Sequence, residues 1–177
     1  MWIQNILQEK KHILALSPMA DMTDSAFCQV VRDIGGADIV FREMVSSEAI
    51  VRDNEKTFGM TDFVEAERPI VQQIFGADPK VMARAAEIVM EHAGPEGIDI
   101  NMGCPVQKAL KHNYGVSLMG DADYAAQVVE MTVKYSQGPV SVKLRAVHSE
   151  QKQNWLDFVK GLEDAGASWI CVHPRTA

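Results

Sequence analysis

The segment Asp99-Ile100-Asn101-Met102-Gly103-Cys104-Pro105 holds the chain's most reactive arrangement of side chains. An apolar run ends in asparagine, glycine lets the backbone turn, and a cysteine follows, stiffened by the proline behind it. A thiol has a reference pKa of about 8.5, so near neutral pH it is protonated and can give its proton to a carbanion or enolate. A free cysteine is most often a small buried hydrophobe. That bland reading suits Cys28, in a helical pattern, and Cys171, inside a strand pattern, but not a cysteine on a strand-end turn. Cys104 is the candidate proton donor.

Other strand-like runs end in polar groups of complementary chemistry. Lys143 closes Pro139-Val140-Ser141-Val142-Lys143-Leu144-Arg145, where a fixed positive charge suits an anionic partner such as a reduced flavin ring. Gln73 closes Ile70-Val71-Gln72-Gln73-Ile74-Phe75-Gly76, and a carboxamide offers both a donor and an acceptor to a heterocycle edge. Strand period alone leaves open whether Gln72 or Gln73 faces inward. His173, at the end of the last apolar run, can donate to a phosphate or a ring carbonyl, or simply be a satisfied strand-end histidine. Asp38, Glu43 and Asp99 read as structural pairs or caps. Lys108, Lys111 and His112 form a small basic cluster that suits a phosphate backbone or a solvated loop about equally.

The elements that would position these groups alternate strictly. Strands are expected over residues 13–19, 38–44, 69–75, 97–103, 139–145 and 168–173. Helices are expected from Thr23 as N-cap with Phe27, Val30, Val31 and Ile34 on one face, over 46–58, after Asp78 and Pro79, over 123–136 and over 154–165. Six βα-type strands allow a doubly wound sheet or a (β/α)8 barrel. Polar groups decorate nearly every strand end, including Arg42-Glu43, and no Gly-x-Gly-x-x-Gly follows the first strand. Both points favour the barrel. That barrel needs about 250 residues, so 177 residues would make an incomplete one, residues 1–177 forming a single domain without the last two strands.

Composition bounds the function classes. A net charge of −7 argues against a general nucleic-acid binder, so any RNA contact must be local or lie outside this chain. Three cysteines without metal-site spacing suggest neither a disulfide framework nor a metal site. No apolar run approaches the ~20 residues of a membrane span, so a cytoplasmic protein is expected.

At its polar strand ends the chain resembles the tRNA-dihydrouridine synthases, the flavin-dependent barrels that reduce uridine in tRNA. The blocks are Ser17-Pro18-Met19-Ala20-Asp21-Met22-Thr23-Asp24, Phe41-Arg42-Glu43-Met44-Val45-Ser46-Ser47, Gln73-Ile74-Phe75-Gly76, the Asp99 to Pro105 segment, Val142-Lys143-Leu144-Arg145 and Val172-His173-Pro174-Arg175-Thr176, in the family's order. The resemblance implies that Pro18, Met19 and Ala20 line an FMN through their backbone, that Gln73, Lys143 and His173 are flavin ligands, and that Cys104 is the general acid. It implies hydride transfer from NADPH to FMN and on to C6 of a flipped-out uracil, with Cys104 protonating C5. Asn101 and Arg145 would touch the uracil or ribose.

Asp21 stands where the family has glycine, Pro174 replaces a glycine, and Asn113 to Met119 departs from the usual Gly-x-Gly block, which bears on loop geometry. The family continues into two more strands that hold the flavin phosphate and a helical tRNA-gripping domain. Without them the chain would bind FMN weakly and expose strand edges. Two other readings stay open: a barrel of the dihydroorotate or dihydropyrimidine dehydrogenase kind acting on free pyrimidines, and an inert fragment or RNA-binding scaffold.

Overall fold

The computed structural model describes residues 2–10, 12–146 and 154–176. Its framework is a parallel sheet of six strands in the order of the chain: β1 (Ala15–Leu16), β2 (Ile39–Ser46), β3 (Ile70–Phe75), β4 (Gly97–Met102), β5 (Val140–Arg145) and β6 (Trp169–His173). A doubly wound sheet reverses its strand order at a switch point. This one never reverses, as in a barrel.

The sheet also curls. Phe41 on β2 and Trp169 on β6 lie four strand spacings apart in the order, and a flat sheet would put them roughly 19 Å apart at about 4.8 Å per spacing. Their rings meet edge to face at 6.3 Å. Ile13, Ile39, Phe41, Val71 and Trp169 thereby plug the concave side, and the same side of each strand, further along, carries the polar residues. The convex side is the main core. Ile74, Ile98, Ile100, Met102, Val140, Val142 and Leu144 pack there against α5 (Pro79–His92), α6 (Ala122–Ser136) and α7 (Trp155–Asp164).

Helix α5 forms because every local signal agrees: Asp78 accepts from Lys80 and Val81 N–H, Pro79 fills the first turn, and Met82, Ala85, Ala86 and Val89 face the core. Elsewhere the sequence reading needs correction. Helix α2 (Ser25–Asp33) is capped by Asp24, because the Thr23 hydroxyl is engaged with the Met19 backbone. The residue that α2 buries is Cys28, at 0% exposure, while Val30 and Ile34 stand 56% and 75% exposed. The helix expected over 46–58 is two short ones, α3 (Ser47–Val51) and α4 (Glu55–Gly59), broken where Asp53 takes φ 57°. An amphipathic helix α1 (Trp2–Glu9) precedes the sheet and was not expected. Arg42 is not a mouth residue either. It lies on the convex side, pairing with buried Glu67 at 2.9 Å and donating to Met60 O.

Candidate active site

Strand parity sorts the polar residues. The registers Gln73↔Asp99 and Asp99↔Ser141, then Asn101↔Lys143 and Lys143↔Cys171, then Arg145↔His173, set three ascending tiers across β3 to β6. Gln73 faces inward, bonded to Asp99, and Gln72 faces outward, donating to Glu43 O and Gln73 O. A register shift in β2 between Arg42 and Val45 turns Met44 inward, so that its sulfur sits 3.3 Å from Asn101 Nδ2.

The middle of this face is a continuous hydrogen-bond relay. Asp99 is fully buried and accepts from Ser141 Oγ at 2.5 Å and from Gln73 Nε2 at 2.6 Å. Gln73 Oε1 accepts from Asn101 Nδ2 at 2.9 Å, and Asn101 Oδ1 accepts from Gly103 N and Cys104 N at 3.1 and 3.0 Å. The turn that carries the thiol is thus tied to two strands behind it. From the other side, Val116 N donates to Cys104 O at 3.1 Å. Gly115, at φ 60°, lets that loop close in, since a Cβ there would stand 2.7 Å from the same oxygen. The loop that departs from the family pattern therefore still supports the cysteine, its Val116, Leu118 and Met119 sunk in the core.

The upper tiers are cationic. Lys143 makes no hydrogen bond or ion pair among the described residues. Arg145 donates to Gly103 O and Thr176 O, both neutral. His173 is held below its usual pKa by desolvation and by the charges of Lys143, Arg145 and Arg175. Its Nδ1 accepts from Arg175 N at 3.3 Å, which leaves the proton of the neutral ring on Nε2, a donor. Asp99 lies below this charge. Burial pushes its pKa up to about 6 against the lowering effects of Ser141, Gln73 and Lys143, so at pH 7 it is an anion. The chain is acidic overall, yet Lys143, Arg145 and Arg175 gather around His173 at the ends of β5 and β6.

The structure brings together Gln73, Asn101, Cys104, Lys143, Arg145 and His173 on the carboxyl side of the sheet. Pro18, Met19 and Ala20 follow β1 at that end, where Met19 N–H and C=O are both engaged by Thr23. Ser141 was overlooked, although its i, i+2 spacing to Lys143 puts it on the same face. Asp38 and Glu43 are structural, the first bonded to Lys10 and Leu14 N, the second to Asp21 N. Among the described residues no cluster of His, Cys, Asp or Glu is disposed to hold a metal, and no helix is long and apolar enough to cross a membrane.

An unreversed, curled parallel sheet with its polar residues gathered at the carboxyl ends of the strands defines a (β/α)-barrel fold with the site at its mouth. Solved structures agree on the fold. TcOYE with pHBA superposes with a TM-score of 0.66 at 8% identity, covering 93% of this chain and 72% of that one. A 2,3-dimethylmalate lyase of the PEP mutase/isocitrate lyase superfamily superposes at 0.63 and 12% identity, covering 97% and 60%. Likeness at 8–12% identity fixes the fold and not the chemistry.

Sequence comparison goes further. Residues 14–177 match the family described as Dihydrouridine synthase (Dus). A probable tRNA-dihydrouridine synthase of Treponema pallidum is 37% identical over 165 residues, 90% of this chain and 48% of that protein. The chain belongs to the dihydrouridine synthase family. It spans about half the length of the curated relatives it matches.

Proposed function

We propose that this chain carries the flavin-binding barrel segment and proton donor of a tRNA-dihydrouridine synthase, residues 1–177 forming one such domain. The observation that supports the reading is the Asn101 side chain, which joins Gln73 to the backbone of Cys104 and so ties the thiol-bearing turn to the polar strand ends.

The inner face fits a flavin on its own chemistry. The Lys143 ammonium is half-buried and free of protein partners among the described residues, suited to an electron-rich ring or its anion. Gln73 keeps one N–H and one lone pair beyond those engaged by Asp99 and Asn101, enough to meet a ring edge. His173 offers an Nε2–H, and Pro18, Met19 and Ala20 would line the ring through their backbone. When bound, FMN would supply a hydride to C6 of a uracil in tRNA, NADPH being the reductant that restores it. Cys104 would then deliver its proton to C5, quenching the enolate-like anion left by hydride addition. Asn101 and Arg145 would hold the base or ribose, and the Lys143, Arg145 and Arg175 charges would draw the phosphate backbone to an otherwise acidic protein. The uracil must leave its stack to reach this mouth.

The test is incubation with saturating FMN, NADPH and unmodified tRNA in D2O, followed by nucleoside mass spectrometry. Dihydrouridine carrying one deuterium at C5, lost in Cys104→Ala, supports the reading. Turnover of free uracil or dihydroorotate with tRNA untouched would replace it with the free-pyrimidine reading.

A further inference from the structure

The relay from Asp99 to Cys104 has a polarity, and only one of its members carries the charge that sets it. Glutamine and asparagine side chains are nearly symmetric in shape, with an acceptor at one end and donors at the other, so hydrogen bonds alone decide which end faces which neighbour. An ionised carboxylate only accepts. Asp99 therefore forces the Gln73 NH2 toward itself, at 2.6 Å, and the Gln73 carbonyl toward Asn101. Asn101 must answer with its own NH2, which turns its carbonyl to the Gly103 and Cys104 amides. Were the order reversed, the Asn101 NH2 would face two N–H donors, and the turn would lose both bonds.

We infer that Asp99 is a positioning residue: its carboxylate orients the two carboxamides of Gln73 and Asn101 and through them fixes the turn that presents the Cys104 thiol. Asp99 touches neither the proposed substrate nor the thiol. It acts at a distance of two side chains, and Ser141, its other donor at 2.5 Å, holds the carboxylate in place from β5. Complete burial suits this role, because a charge screened by water would orient its neighbours weakly. The inference rests on the proposed role of Cys104 for its functional meaning, and on the hydrogen bonds alone for its structural content.

Asp99→Asn keeps the shape and removes the sign. An asparagine there can donate or accept, so the Gly103 and Cys104 amides are left as the sole fixed donors that set the relay polarity. Two readouts that need neither flavin nor RNA follow: the side-chain NH2 resonances of Gln73 and Asn101 by 1H–15N NMR, and peptide-resolved alkylation of Cys104 by iodoacetamide. In the 177-residue chain, Asp99→Asn should split or shift both NH2 pairs and change the Cys104 alkylation rate about tenfold, the worth of one buried hydrogen bond left unmade. Ser141→Ala, which leaves the anion and Gln73 in contact, should move neither by a comparable amount. Lowering the pH of the unsubstituted chain through Asp99's titration should reproduce the NH2 changes, which keeps the test open if the asparagine variant fails to fold. A folded Asp99→Asn chain with unaltered NH2 pairs and unaltered Cys104 alkylation would overturn the inference. If the variant shows these changes while the unsubstituted parent forms no dihydrouridine, the proposed function fails and the relay stands.

Discussion

The Asn101 carbonyl oxygen lies 3.0 Å from the backbone nitrogen of Cys104, while the other end of the same side chain is bonded to Gln73 on the neighbouring strand. One side chain thus sets the position of the thiol relative to the strand ends that would hold a ring. Parallel strands make this possible, because every strand delivers its carboxyl end to the same side.

Cys104→Ala should leave FMN affinity unchanged by titration and lower the rate of uridine reduction by about 10²–10⁴, the usual contribution of a positioned general acid. Equal loss of flavin binding would mean that the thiol is part of the flavin site rather than a proton donor.

Asp99 gives a pH signature whose sign is fixed. Its pKa in the fold is raised to about 6 from 3.8, so the native state binds the proton more tightly than the unfolded chain does. The associated stability is fully present below the unfolded value and is lost as pH rises through about 6. At pH 8 the buried anion costs on the order of 3 kcal/mol. Asp99→Asn should therefore match the parent near pH 4 and exceed it in urea-denaturation stability at pH 8, while the Cys104 turn loosens. A variant less stable than the parent at pH 8 would contradict this.

Glu67 is fully buried and binds Arg42, Ser25 Oγ and Val64 N at once. Glu67→Ala leaves the Arg42 guanidinium charged and without its carboxylate, which should cost about 3–5 kcal/mol. The measurement is the denaturation midpoint of the variant. Glu67 makes none of the hydrogen bonds that hold the Cys104 turn, so residual folded protein should keep its Cys104 alkylation rate.

Gly115→Ala introduces a methyl 2.7 Å from Cys104 O at a backbone φ of 60°. The loop must move, with a stability loss of about 1–3 kcal/mol and a changed Cys104 alkylation rate. Gly120→Ala, where nothing lies within 4 Å, is the control and should alter neither.

Much of this was legible before the structure. The cap, proline and apolar stripe of α5 all pointed one way, and the polar strand ends marked Asn101 and Lys143 for one mouth. The face of α2 was misread because periodicity reveals an apolar stripe but not which neighbour it meets. Cys28 went inward there, and Ile34 stayed in solvent. A hydroxyl at the spacing of Thr23 suits a cap, yet Met19 claims it and Asp24 caps the helix instead. Arg42 looked like a mouth residue because its partner Glu67 is 25 positions away and gives no local signal. The individual members of the relay could be named from sequence. Their polarity could not, since it depends on a buried charge meeting a carboxamide across two strands.

The central claim is that the thiol at 104 and the ammonium at 143 border one flavin-binding surface. The direct test is NMR titration of the chain with FMN into the millimolar range, which also detects weak binding. Chemical-shift changes should concentrate on Gln73, Asn101, Cys104, Lys143 and His173, and should vanish in Lys143→Ala. Changes confined to another part of the surface, or no change at any of these residues, would contradict it.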